Sequence, residues 1–174
     1  MVWKYLRRRR GFGLAIGQST GDWSISVVVY LADTAATLAF GRQLVERLSP
    51  DSTLLLMGDL GAGKTCLVQG LASGLGIREP ITSPTFALAQ HYRPADRAAG
   101  GLVHLDLYRL EFPAAADELF AQEEEEARAL GALLAVEWPE RLSGLPLGCW
   151  HVRLNMADPA NPDAGRQLEL IPPR

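Results

Sequence analysis

The sequence has few cysteines, no long apolar run and no internal repeat. Its two cysteines, Cys66 and Cys149, are too few for a disulfide framework or a zinc-ligand cluster, and they indicate a reducing compartment. The longest apolar runs, around residues 25–31 and 132–136, have the length of buried strands and not the roughly 18 residues of a membrane span. We therefore expect a soluble, cytoplasmic protein, and 174 residues suffice for a single domain with its own core.

The chain also lacks a strong net charge, because the formal total is only −3. The charges are unevenly distributed. Residues 1–30 carry five basic residues, Lys4 and Arg7–Arg10, against the single acid Asp22, whereas the remainder carries 12 basic and 19 acidic residues. An acidic body disfavours broad contact with a nucleic-acid backbone, so any such contact would have to be local.

Residues 1–26 are predicted to be a basic, disordered N-terminal extension, and residues 27–174 to be the domain proper. The extension joins the arginines Arg7–Arg10 to a glycine-interrupted stretch and lacks the apolar segment of a secretory signal. Its arginine content is also typical of an organellar transit peptide, and a start codon assigned too early would give the same pattern. These interpretations stay open.

Strand-like apolar runs alternate with helical patterns from residue 27 onwards. One helix is expected to begin at Asp33 or Thr34, a second to run from a glycine-rich loop to about residue 75, and a third to span residues 113–130. The acids of the third helix, including Glu123–Glu126, are predicted to lie on a solvated face. The predicted strands are residues 27–30, 53–57, 86–92, 102–107, 132–137, 150–155 and 167–171.

The glycine-rich loop Gly58–Thr65 reads Gly-Asp-Leu-Gly-Ala-Gly-Lys-Thr and satisfies the P-loop pattern G-x-x-x-x-G-K-[ST]. Glycines let backbone N–H groups surround phosphates at the positive N-terminus of the following helix. We expect Lys64 to reach the β- and γ-phosphates of ATP and the Thr65 hydroxyl to bind Mg²⁺. The predicted phosphate-binding residues are Asp59, Leu60, Gly61, Ala62, Gly63, Lys64 and Thr65. The P-loop and the alternation of strands with helices together predict a single P-loop NTPase-like three-layer α/β domain with a central mixed, largely parallel sheet.

Hydrolysis requires more than this loop, namely an acid at a strand end for the metal ion or its waters and a group that orients the attacking water. Asp106 ends one predicted strand and Glu137 ends another. Either can be an ordinary strand-terminal carboxylate. Two such acids in a chain with a P-loop nevertheless favour catalytic roles, for which Lys64, Asp106 and Glu137 are the candidates.

Other polar residues near these acids have both a functional and a structural interpretation. The hydroxyls of Thr82–Thr85 can sense the γ-phosphate as a switch segment does, or simply form a polar turn. Trp138, beside Glu137, can stack on a base or pack. His91 and His104 are predicted to be structural.

Four motifs in series resemble the TsaE (YjeE) family, the small bacterial ATPases needed to make threonylcarbamoyladenosine in tRNA. They are Gly58–Thr65, Ser83-Pro-Thr-Phe86, His104-Leu-Asp-Leu-Tyr-Arg-Leu110 and Glu137-Trp-Pro-Glu-Arg141, in the family's order and approximate spacing. The resemblance covers about residues 27–172. The P-loop is generic by itself, whereas the series is highly specific.

The resemblance implies an ATPase that uses Mg²⁺ and binds the TsaD–TsaB transferase complex, with tRNA as an indirect partner. It implies that Thr65 and Glu137 form the metal site and that Asp106 is a second essential acid near the attacking water. It also implies that Thr85, in the switch-like loop, and Trp138, beside the metal acid, contact the nucleotide. The division of labour between Asp106 and Glu137 rests mainly on this resemblance.

The chain departs from the family pattern at three places. Cys66 replaces a threonine that commonly follows the magnesium threonine, and residues 114–130 lack the family's usual acidic-glycine pattern. Residues 1–26 are expected to have no counterpart in the family. The first departure leaves the predicted coordination intact, and because of the second no contacts of residues 114–130 are carried over from the family.

Three other functions remain as alternatives. A small metabolite kinase needs an arginine-bearing lid, and only Arg93 and Arg97 cluster after the P-loop. A GTP-binding switch needs Asn-Lys-x-Asp, and the nearest string, Asn155-Met-Ala-Asp158, lacks the lysine. A nucleotide-gated binding protein that barely hydrolyses would use the same residues as an ATPase.

Overall fold

The computed structural model describes residues 14–15, 26–95, 100–161 and 163–173. Its strands are β1 Leu14–Ala15, β2 Val27–Leu31, β3 Thr53–Met57, β4 Ala89–Tyr92, β5 Leu102–Asp106, β6 Leu133–Glu137, β7 Trp150–Met156 and β8 Arg166–Ile171. Its α-helices are α1 Thr34–Leu44, α2 Lys64–Gly74 and α3 Pro113–Leu130. Within these described residues, the strands form one sheet in the order β1-β2-β8-β7-β3-β6-β5-β4.

The sheet has a parallel centre and antiparallel edges. Strands β7, β3, β6 and β5 pair in parallel with one another. On the outer sides, β4 pairs antiparallel with β5 and β8 with β7, and β2 and β1 follow β8 by further antiparallel pairing. The carboxyl ends of β3, β5 and β6 therefore meet at one edge, where Met57, Asp106 and Glu137 end their strands. This is the edge at which open α/β sheets bind ligands.

Helices cover both faces of the parallel centre, which confirms the predicted three-layer α/β fold. Leu54 and Leu56 of β3 belong to the core cluster that contains Leu67 and Leu71 of α2. Leu55, between them, belongs to a second cluster with Phe120 and other residues of α3. Because successive residues of a strand face opposite sides and both sides are covered, every position of β3 is buried, and residues 54–57 are all apolar. This is why its bounds match the predicted residues 53–57.

Helices α1 and α2 pack closely because glycines lie at their crossing. A Cβ added at Gly41 would lie 2.6 Å from the carbonyl oxygen of Leu67, and one added at Gly70 would lie 2.5 Å from that of Leu38. Asp33 caps the N-terminus of α1, because its carboxylate accepts a 2.7 Å hydrogen bond from the Ala36 N–H group. The crossing fixes the position of α2, and hence of the loop that precedes it.

The strand predicted at residues 86–92 is shorter than expected, because only Ala89–Tyr92 is a strand. Residues 85–88 form a turn in which the Leu88 N–H group donates to the Pro84 carbonyl and Leu88 has a φ of +65°. A positive φ takes the chain out of the extended conformation. Phe86 is consequently 85% exposed, although its residue type favours strands.

The predicted solvated face of α3 needs one correction. Helix α3 has the expected bounds, and Glu125 and Glu126 are exposed, but Glu123 is buried. Its carboxylate lies 2.6 Å from Nε2 of His91 on β4, so a hydrogen bond between sheet and helix holds it. A buried carboxylate is tolerated where a partner of this kind satisfies it.

Most of the predicted N-terminal extension lies outside the described residues, because only Leu14–Ala15 and Ser26 of residues 1–26 are described. Leu14–Ala15 pairs antiparallel with β2. The extension and the boundary at residue 27 stay predictions. Among the described residues, no helix is both long and apolar enough to cross a membrane.

Candidate nucleotide-binding site

The loop Gly58–Gly63 connects β3 to α2 and has a backbone conformation that glycine favours. Gly58, Gly61 and Gly63 have φ values of +139°, +78° and +104°. A Cβ at Gly58 would also lie 2.1 Å from the Leu154 carbonyl oxygen. Gly63 offers no side chain to cap α2, so the N–H groups of the first turn are available to an anion.

Lys64 is the first residue of α2 and is only 5% exposed. Its Nζ donates to the carbonyl oxygens of Gly58 and Asp59 at 2.6 and 3.0 Å. Burial lowers the pKa of Lys64, while the negative charge of nearby carboxylates, Glu137 first among them, acts in the opposite direction. The ammonium is therefore held against its own loop by neutral acceptors.

Glu137 meets Thr65 at the end of β6. The Thr65 hydroxyl donates to Glu137 Oε1 at 2.8 Å, and the glutamate is 3% exposed. Parallel pairing of β3 with β6 sets this contact, because Glu137 lies opposite Leu56, just before the loop. A hydroxyl and a carboxylate lie side by side at the N-terminus of α2.

Asp106, opposite Glu137 across the β5–β6 pair, is tied to the segment that follows α2. Its Oδ2 accepts hydrogen bonds from the hydroxyls of Ser83 and Thr85, each at 2.7 Å, and its Oδ1 accepts one from the Tyr108 N–H group at 3.0 Å. Asp106 is 2% exposed. The carboxylate thus holds the switch-like segment by two hydroxyls.

Trp138 covers the lysine. It has a left-handed backbone conformation with a φ of +61°, which is uncommon for a bulky residue. Lys64 Nζ lies 3.9 Å from the centre of the Trp138 ring. The centres of the Tyr108 and Trp138 rings are 4.9 Å apart. An aromatic face at this distance attracts the ammonium.

Sequence reasoning missed Arg166, the first residue of β8. Its Nε donates to the Ala62 carbonyl oxygen and its Nη2 to that of Gly61, both at 3.1 Å. It lines a cavity of about 280 Å³ that also touches Asp33, Thr34 and Cys66. Arg166 lies 104 residues from Ala62 in the chain, so only the sheet order, in which β7 adjoins β3 and β8 adjoins β7, brings it to the loop.

Known proteins resemble this chain over most of its length. Residues 31–167 match the family described as threonylcarbamoyl adenosine biosynthesis protein TsaE. The chain belongs to the TsaE family. This confirms the resemblance that the four motifs indicated.

Curated TsaE proteins resemble the chain over most of its length. The protein from Nostoc sp. is 42% identical over 159 residues, covering 91% of this chain and 93% of that protein. The protein from Synechocystis sp. is 46% identical over 123 residues, covering 70% and 75%. That of Haemophilus influenzae is 32% identical over 152 residues, covering 84% and 89%. Each is named a tRNA threonylcarbamoyladenosine biosynthesis protein TsaE.

The crystal structure of Bacillus subtilus YdiB shares the fold, with a TM-score of 0.64, 24% sequence identity and coverage of 88% of this chain and 90% of that chain.

The Nostoc alignment corrects one expectation about the N-terminal residues. It covers 91% of this chain, whereas residues 27–174 are only 148 of the 174. It therefore extends into residues 1–26, which were expected to have no family counterpart.

The predicted site residues of this TsaE-family chain lie together in the structure. Lys64 and Thr65 begin α2, Asp106 and Glu137 end adjacent strands, and Trp138 lies against Lys64. Thr85 joins them through Asp106. The residues predicted to bind phosphate through their backbone are Asp59, Leu60, Gly61, Ala62 and Gly63, and they form the loop itself. Their roles stay predictions.

Proposed function

We propose that this chain is a magnesium-dependent ATPase that supports the threonylcarbamoyl transferase making threonylcarbamoyladenosine at position 37 of tRNA. One observation carries the proposal. Lys64, Thr65, Asp106 and Glu137 converge at one edge of the sheet, beside a glycine-rich loop. An ammonium, a hydroxyl and two carboxylates in this arrangement are the groups that phosphoryl transfer requires.

ATP binds along the loop. The backbone N–H groups of residues 59–63 and the uncapped first turn of α2 surround the phosphates. Lys64 turns from the carbonyl oxygens of Gly58 and Asp59 towards the β- and γ-phosphates. The cavity lined by Asp33, Cys66 and Arg166 adjoins Gly61 and Gly63, and it accommodates the rest of the nucleotide.

Thr65 and Glu137 fit a magnesium ion. Their oxygen atoms, a hydroxyl and a carboxylate, are the hard ligands that Mg²⁺ prefers, and they are already 2.8 Å apart. Bound Mg²⁺ would supply neutralising charge to the phosphate oxygens. Glu137 is 3% exposed, so water competes weakly for its carboxylate.

Asp106 orients the attacking water. The water oxygen bonds to the γ-phosphorus, the bond from that phosphorus to the bridging oxygen breaks, and ADP leaves while Asp106 takes the proton of the water. Ser83 and Thr85 already donate to Oδ2 of Asp106. For the attacking water to bind Asp106, these hydroxyls must either move away or share that oxygen with the water. We therefore expect slow hydrolysis that a partner accelerates by moving the switch-like segment.

The expected partners are the TsaD and TsaB subunits of the transferase complex, in the cytoplasm. Apolar side chains around the site support a protein partner, because Leu60 is 72%, Phe86 85% and Tyr108 40% exposed. Arg109 lies over the Phe86 ring, 4.0 Å from its centre. The acidic body supports an indirect relation to tRNA.

Substitution of the loop residues tests the proposal. Lys64→Met and Thr65→Ala should each lower magnesium-dependent ATP hydrolysis at least about 100-fold. Lys64→Met should fold at least as stably as the wild type, because burial that lowers the pKa of Lys64 also opposes folding of the charged form. Ser73→Ala, at an exposed position of the same helix, is the matched control. Wild-type turnover by both loop variants would reject the site.

The alternative of a nucleotide-gated binding protein that barely hydrolyses shares these residues. Single-turnover hydrolysis with and without the TsaD–TsaB complex separates the two functions. The ATPase requires that the complex accelerate cleavage of bound ATP. If the complex changes nucleotide affinity but not cleavage, the chain is a gated binding protein.

A further inference from the structure

His104 lies in the middle of β5 and is completely buried. Its Nε2 is 2.9 Å from Oε1 of Glu137, the residue assigned to the metal ion. Its Nδ1 is buried and has no hydrogen-bond partner within the described part of the chain. The sequence predicted a structural histidine here, yet the ring touches the proposed metal site.

The hydrogen bond fixes the position of the ring proton. A carboxylate oxygen accepts, so Nε2 must carry the hydrogen that lies between the two residues. A proton on Nε2 alone leaves Nδ1 as a bare acceptor, and a buried acceptor without a partner is better tolerated than a buried N–H group. Nε2 is therefore assigned as the donor of this contact, on the basis of its hydrogen bonding.

Two donors converge on the same oxygen of Glu137. The Thr65 hydroxyl reaches Oε1 at 2.8 Å, and His104 Nε2 reaches it at 2.9 Å from the neighbouring strand. Parallel pairing places His104 opposite Ala135, two residues before Glu137 on β6. The histidine thus holds the carboxylate from within the sheet, independently of the loop and of α2.

We propose that His104 is a positioning residue that orients the Glu137 carboxylate for the magnesium ion. The inference rests on the proposed function, since it needs the metal to lie at Thr65 and Glu137. Once the Thr65 oxygen binds the ion, the hydrogen bond from His104 still holds Oε1 in place. Hydrogen bonds from residues behind the metal ligands commonly change metal affinity by about 10- to 100-fold.

A pair of amide variants tests the positioning role. Glutamine places its amide N–H near the position of Nε2, whereas the shorter asparagine does not reach Glu137. The measurement is the dissociation constant of a non-hydrolysable ATP analogue, in EDTA and in saturating Mg²⁺. The ratio of the two constants is the enhancement of binding by magnesium.

We expect His104→Asn to lower this enhancement at least about 10-fold and to leave the constant in EDTA within about threefold of the wild type. His104→Gln should recover most of the enhancement. A residue that merely fills the core would change both constants together or neither. If Asn and Gln variants retain the wild-type enhancement, or lose it equally, the positioning role is rejected.

Two controls keep the result specific. His91→Asn removes the histidine of β4, whose carboxylate partner is Glu123 on α3, and should leave the enhancement unchanged. If His104→Asn does not fold, His104→Met, which fills the buried position without a hydrogen-bond donor, takes its place and should lose the same enhancement. If magnesium does not enhance binding to the wild type, the proposed metal site itself is rejected. This outcome distinguishes failure of the proposed function from failure of the positioning role alone.

Discussion

The ammonium of Lys64 lies 3.9 Å from the centre of the Trp138 ring, while its hydrogen bonds go to the carbonyl oxygens of Gly58 and Asp59. The lysine is thus satisfied by its own loop and by an aromatic face. Neither contact can persist unchanged when the ammonium reaches a triphosphate. Trp138 should therefore report on nucleotide binding.

We expect the intrinsic fluorescence of the protein to change when an ATP analogue and Mg²⁺ bind, because the Lys64 ammonium leaves the indole face. Trp138→Phe should remove at least most of this change. Trp150→Phe, at a half-buried position on β7, is the control and should retain it. A change that survives in the Trp138 variant and disappears in the Trp150 variant would contradict the contact.

The hydroxyls of Ser83 and Thr85 should stabilise both Asp106 and the turn at residues 85–88. Replacing both by alanine removes two donors from a carboxylate that is 2% exposed, which should lower the free energy of unfolding by about 1–3 kcal/mol. Urea unfolding measures this loss. Hydrogen exchange should also show faster exchange at the Leu88 amide, which closes the turn.

Ser73→Ala is the control for this double substitution, because Ser73 is exposed on α2 and should change stability by less than about 0.5 kcal/mol. If the double variant unfolds like the wild type and its Leu88 amide remains protected, Asp106 does not hold the segment.

Arg166 should stiffen the loop for phosphate binding. Arg166→Lys removes the paired hydrogen bonds to Gly61 and Ala62, because an ammonium does not reproduce the planar geometry of guanidinium. We expect the dissociation constant of Mg-ATP, measured by calorimetry, to rise roughly five- to tenfold, the equivalent of about 1–1.4 kcal/mol for a half-exposed group.

The matched substitution is Arg153→Lys on β7, whose side chain pairs with Glu169 at the exposed surface. The dissociation constant of Mg-ATP for the Arg153→Lys variant should equal that for the wild type. If Arg166→Lys and Arg153→Lys raise the dissociation constant of Mg-ATP equally, the general loss of an arginine causes the change, and the contact of Arg166 with the loop does not.

Cys66 should be labelled by a small thiol reagent, and Mg-ATP should protect it at least about fivefold, because its side chain lines the cavity beside Gly61 and Gly63. Burial raises the pKa of the Cys66 thiol. Since the thiolate is the reacting form, labelling should be slow at neutral pH and should continue to accelerate above the pH at which free cysteine is fully ionised.

Cys149 supplies the internal comparison. It is 4% exposed, and burial raises the pKa of its thiol to about 11, so it should stay unlabelled until the protein unfolds. Cys66→Ser should abolish native labelling. Equal labelling of Cys66 with and without Mg-ATP would place the nucleotide elsewhere.

The sequence predicted those parts of the site that depend on local pattern. The apolar run of β3, the glycines of the loop and the first turn of α2 follow one another directly, so Lys64 and Thr65 could be assigned residue by residue. Asp106 and Glu137 could be identified because each ends an apolar strand. Their adjacency then follows from parallel pairing of β5 with β6.

The remainder depends on contacts between distant segments. The predicted strand at residues 86–92 begins late because hydroxyls before it bind Asp106, which follows 21 residues after Thr85. Glu123 is buried because His91, 32 residues earlier, satisfies it. The contacts of Arg166 and His104 with the site likewise require the sheet order, which hydrophobic periodicity does not encode.

The most direct measurement of the central claim is a crystal structure with Mg²⁺ and a non-hydrolysable ATP analogue. It should show Lys64 Nζ released from Gly58 and Asp59 and bound to the β- and γ-phosphates, with the ion held at Thr65 and Glu137. A nucleotide bound away from Gly58–Thr65, with the Lys64 ammonium still on the loop carbonyls, would contradict the account.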